Sequence, residues 1–136
     1  MADGTILEAL RMRRYDPLAA PAPEEWLSLD EGERIRLVDE YHRRARVRLP
    51  NRKTHAIFHV VIENQIAAGD EIPVRGTLAR LMDEGLDRHE AIHAIGTALS
   101  EHMWNLWHRT EPKADPNAPY FAALDRLTAE EWRRSG

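Results

Sequence analysis

Four of the seven histidines stand in two pairs of identical spacing, His55-x3-His59 and His89-x3-His93. Side chains four apart on a helix share one face, with Cβ atoms about 5–6 Å apart. Two imidazoles held in that way can bind one metal ion together. Both pairs sit in strongly apolar stretches, where a polar ring needs a partner. The pairs are therefore expected to converge on one divalent transition metal, with His55, His59, His89 and His93 as ligands. Glu63 continues the first pair by another turn, as a fifth ligand or an outer-shell partner. Imidazole and carboxylate donors suit Zn²⁺ first, with Fe²⁺, Ni²⁺ or Mn²⁺ as alternatives. Cysteine is absent, which excludes thiolate sites and disulfides. The contrary reading is metal-free: the histidines are core residues, and a tryptophan edge or an arginine cluster serves a protein-interaction module.

The later pair also reads His89-Glu90-Ala91-Ile92-His93, the H-E-x-x-H of zinc peptidases. There two histidines hold zinc and the glutamate is the general base. A zinc metallohydrolase with Glu90 as base is thus a further alternative. Five residues are a short motif, however, and Glu90 stands three after Asp87, where a capping-box partner belongs. No cofactor other than a metal is expected. His42, His102 and His108 have no matching spacing; His42 can approach the site from a separate helix.

These residues need helices to position them. Thr5–Arg14 predicts a short helix on Ile6, Leu7, Leu10 and Met12. Tyr15 to Pro23 reads as a proline-stiffened connector. Trp26, Leu27 and Leu29 predict a helical turn packed on the body. Asp30 and Glu33 open a helix running to about Arg46, and Asn51 caps the next, over Arg52–Ala68. The β-branched run there also suits a strand, but its length and the i, i+4 histidines favour a central, buried helix. Pro73 begins a short helix with Val74, Leu78, Leu81 and Met82 on one face, ended by Gly85. Asp87 caps a long helix to about Arg109, with Ile92, Ile95, Leu99, Met103, Leu106 and Trp107 at helical spacing and Trp104 close by. Two short helices follow, near Tyr120–Leu127 and Ala129–Arg134. Two tight connections favour an up-down-up order for the three central helices. If the outer two of these touch, the four imidazoles lie at nearly one level.

The fold class expected is all-α, a compact bundle of about four to six helices. The domain expectation is a single one over 1–136: an N-terminal helix and connector (1–29), a core (30–109) and C-terminal short helices (110–136). A net charge of −4 gives no general pull toward nucleic acid. The Arg43–Lys53 cluster is the sole hint of it. Arginine outnumbers lysine 17 to 2 throughout, so that bias is global rather than local. No apolar run approaches 18 residues, so no membrane span is expected. The N-terminus lacks a secretory apolar run, and a cytoplasmic location is expected. The apolar surface of the long helices leaves room for a homodimer.

The run Asn51-x3-His55-x3-His59-x3-Glu63-x-Gln65, with Arg75, His89-x3-His93 and Glu101-x2-Trp104, resembles a small bacterial family catalogued as a domain of unknown function. The resemblance covers about Asn51 to Trp107. It implies a helical bacterial protein and supplies no reaction. The family pattern does not require Glu between the later histidines.

Overall fold

Residues 14–108 and 115–135 are described by the computed structural model. Apart from Arg14, the helix expected over Thr5–Arg14 lies outside them. The described residues form seven helices and no strand: α1 Pro23–Ser28, α2 Glu31–Arg44, α3 Arg52–Ala67, α4 Val74–Asp83, α5 Arg88–Trp107, α6 Ala118–Arg126 and α7 Ala129–Ser135. The all-α class is as expected. The count exceeds four to six because α1, α6 and α7 each close as separate short helices. No helix here is long and apolar enough to cross a membrane. The chain divides into two units, Met1–Ala67 and Ala68–Gly136.

In the first unit, α1 and α2 both pack on α3. Asp30 opens α2 by accepting from the Glu33 amide at 2.8 Å, and Asn51 opens α3 by accepting from Thr54 at 3.1 Å. The core gathers Tyr15, Trp26, Leu37, Val38, Ala56 and Val60. Trp26 is fully buried, and its Nε1 donates to Asn64 Oδ1 at 2.9 Å. Arg34 donates to the same oxygen at 3.0 Å and to the carbonyls of Trp26 and Leu27 at 3.1 and 3.0 Å. Its planar fork thereby satisfies the last carbonyls of α1, which the helix leaves without intrahelical donors. The β-branched run of α3 is helical. It is not buried all round, since Ile57 is exposed while Ala56, His59, Val60, Ile62 and Glu63 are buried.

The end of α2 matters for the site because it carries His42. Arg46 adopts φ 56°, its amide bonds to the Arg43 carbonyl, and the Val47 amide bonds to the His42 carbonyl. This is a Schellman cap with arginine in the left-handed position, which normally favours glycine. Arg46→Gly is expected to stabilise the protein by about 0.5–1 kcal/mol, the relieved side-chain strain outweighing the added freedom of the unfolded chain. A urea midpoint that falls instead of rising would refute this.

The second unit is built on α5, against which α4 and α6 pack. Gly85 (φ 109°) ends α4 with the same motif: its amide bonds to the Met82 carbonyl and Leu86 to Leu81. Asp87 and Glu90 form a complete capping box at the start of α5. Arg80 donates to the Leu124 and Leu127 carbonyls at 3.0 and 2.8 Å, and Glu84 accepts from the Ala129 amide at 2.9 Å. These bonds tie α4 to the α6–α7 corner. The Ala129 amide, then Arg80, hold the Glu84 carboxyl below its usual range.

One part of the helical rhythm misleads. Ile92, Ile95 and Leu99 are buried as expected, but Met103, Trp104, Leu106 and Trp107 are exposed, Trp107 by 84%. The buried stripe of α5 passes instead through Ala98 and His102, whose ring stacks on Tyr120 with centroids 5.4 Å apart. Met82 on α4 is likewise exposed. Burial also raises the Tyr120 hydroxyl well above its ordinary value.

Candidate metal centre

The first unit brings three histidines together. His55 and His59 come from one face of α3, as their spacing requires, and His42 comes from the last turns of α2. Ring centroids are 4.6 Å apart for His42 and His55, and 5.0 Å for His59 with each of them. His42 and His59 are buried and His55 is half-buried. Each of His42 and His59 offers a ring nitrogen, and these nitrogens lie within 4.8 Å of each other. The sequence offers His42 as a histidine able to approach from a separate helix, with no spacing partner to place it there. The signal that could have found it is its place beside the helix end, on the turn after the buried Val38.

Hydrogen bonds define what these rings present. His42 Nδ1 lies 2.9 Å from the Val38 carbonyl. A carbonyl only accepts, so Nδ1 carries the proton and Nε2 carries the lone pair. Burial first of all pulls His42 below its ordinary pKa, against the opposing effects of that hydrogen bond and of Asp39. The neutral, ligand-competent ring is thereby favoured. His55 Nε2 lies 3.1 Å from His42 Nε2 and donates to it. The separation is close to the roughly 3.3 Å between two donors on one tetrahedral ion with bonds of about 2.0–2.1 Å.

His59 Nδ1 lies 3.2 Å from the Tyr15 hydroxyl, and that hydroxyl donates to Glu63 Oε2 at 2.5 Å. Tyr15 comes from the connector before α1. Tyr15, His59 and Glu63 are all buried, at 1%, 2% and 1% exposure. Glu63, expected as a ligand or an outer partner, thus faces His59 through a phenol.

The second unit supplies the other pair. His89 and His93 occupy the first two turns of α5, both half-buried, with ring centroids 4.2 Å apart. A ring nitrogen of each lies within 4.8 Å of the other. Glu90, between them, is exposed. Its carboxylate accepts from the Asp87 amide at 3.3 Å while Asp87 accepts from the Glu90 amide at 2.7 Å. The capping box accounts for this glutamate. His102 and His108 are occupied apart from these groups, His102 against Tyr120 and His108 stacked on Trp104.

Three members of the arginine cluster have structural tasks. Arg52 pairs with Asp39 at 2.6 Å, Arg44 donates to the Tyr15 carbonyl at 3.4 Å, and Arg46 forms the α2 cap. Compared with family models, curated proteins and solved structures, the chain matches none.

Proposed function

We infer that this is a helical metal-binding protein that takes up a divalent transition metal through two histidine pairs, His42 with His59 in the first unit and His89 with His93 in the second. The observation that carries this reading is a paired donor arrangement in each unit: His42 with His59, and His89 with His93, each pair with ring nitrogens within 4.8 Å. Imidazole donors suit Zn²⁺ first, then Fe²⁺, Ni²⁺ or Mn²⁺. His42 supports the fit further, since its Nδ1 is committed to the Val38 carbonyl and its Nε2 carries the lone pair. His55 stands next to these as a fifth donor, available once its proton moves from Nε2 to Nδ1. Glu63 acts from outside the ligand shell. Membership of the small bacterial family that the Asn51–Trp107 run resembles belongs to this same reading.

Elemental analysis of untagged protein tests it. About one equivalent of a transition metal is expected at pH 7.5, retained through a chelating-resin step. Acidification should release it. Protonation competes with the metal for each imidazole. Because burial lowers the pKa of His42, its neutral form adds stability that is present above the unfolded-state pKa and lost as pH falls through the folded one. Release should therefore occur on the acid side of the ordinary histidine range. Protein that takes up none of zinc, iron, nickel or manganese would overturn the reading and favour a metal-free interaction module.

A further inference from the structure

A phenol in a protein core is costly unless both its proton and its oxygen are used. The hydroxyl of Tyr15 is used on both sides, by partners 44 and 48 residues away in the chain. It has one proton, and that proton goes to Glu63 Oε2. The contact with His59 Nδ1 must then run the other way, from the ring N–H to the phenol oxygen. The order is His59 Nδ1–H to Tyr15 oxygen, then Tyr15 O–H to Glu63. This leaves the His59 lone pair on Nε2. Metal-bound histidines commonly donate their second ring nitrogen to a carboxylate or carbonyl, which sets tautomer and ring orientation. Here a tyrosine is inserted between ring and carboxylate.

We propose that Tyr15 is a positioning residue that, with Glu63, holds His59 in the Nδ1–H tautomer and so prepares its Nε2 for the metal. The proposal rests on the metal-binding reading above. It assigns a role to a residue in a proline-rich connector, where sequence patterning indicates only a linker. It also gives the buried Glu63 a task distinct from direct ligation. The two prepared rings use different devices: a main-chain carbonyl one turn back for His42, and a tyrosine from a distant segment for His59.

Tyr15→Phe tests this while keeping the ring that packs against Trp26 and Tyr41, with centroids 5.8 and 6.2 Å away. Two measurements on the full chain are needed. Nitrogen-15 NMR of the metal-free protein reads which His59 nitrogen is protonated. Competition with a chromophoric chelator reads zinc affinity. The parent should show His59 protonated on Nδ1. Tyr15→Phe should lose that preference and bind zinc about 10–100-fold more weakly, the range for removing an outer-shell partner. Glu63→Gln retains an acceptor oxygen for the phenol and should keep the parental tautomer, a result that mere loss of packing would not produce. A parent ring protonated on Nε2 would overturn the proposal. So would a Tyr15→Phe protein with parental tautomer and affinity. Failure of the underlying metal reading looks different: the parent itself would bind no zinc, whatever its tautomer.

Discussion

The His59→Ala/His93→Ala double variant is expected to purify folded and without metal, where the parent carries about one equivalent. Each substitution removes one donor from one of the two pairs. Neither pair then keeps both of its members, and even with His55 beside His42 the remaining donors fall short of the four-coordinate shell that zinc prefers. The loss should exceed the 10–100-fold typical of outer-shell partners for each single variant, and the double variant should fall below stoichiometric binding altogether. Circular dichroism must show retained helix, because His59 is 2% exposed and its removal also leaves a small cavity. A folded double variant that still holds one equivalent would rule out these two residues as ligands. Glu90→Gln makes a useful companion. The glutamine can still serve the α5 capping box, so both metal content and stability should stay close to the parent.

Trp26→Ala should produce the largest loss of stability, about 3–5 kcal/mol, the range for deleting a large buried aromatic side chain. Trp26 is 0% exposed and lies against Tyr15. Its indole N–H satisfies Asn64 Oδ1, which would keep only the Arg34 bond afterwards. A loss of this size is a large part of the stability of a typical domain, about 5–15 kcal/mol. The urea midpoint should fall steeply, and metal affinity should fall with it, because Tyr15 loses a wall of its pocket. Trp107→Ala is the contrast: at 84% exposure its removal should move the midpoint by less than about 0.5 kcal/mol. Equal effects of the two substitutions would contradict the burial pattern described here.

That contrast also marks where helical periodicity stops being informative. Trp107 and Ile92 both fit the apolar rhythm of α5, yet one is exposed and the other buried. A 3.6-residue repeat identifies a face. It does not say how far along the helix a partner extends, and His102 on Tyr120 continues the buried stripe where Met103 and Trp107 were expected to do so.

Local signals are legible in the sequence because their physics is local. Asp30, Asn51 and Asp87 each cap a helix by accepting from the amide three residues ahead, and Gly85 relieves a left-handed turn that a Cβ would strain. The x3 spacing put His55 with His59 and His89 with His93 for the same reason, since four residues make about one helical turn. His42 and Tyr15 have no such signature. Their contacts with His55, His59 and Glu63 span from 13 to 48 residues of chain and exist only because α2 and the connector before α1 fold back on α3. The sequence by itself therefore determined an all-helical chain and the histidine pairs within single helices, both products of backbone geometry over one turn. Tertiary structure alone decided that His42 joins His55 and His59, and which nitrogen of His59 carries the proton, because those depend on packing between segments that no local rule connects.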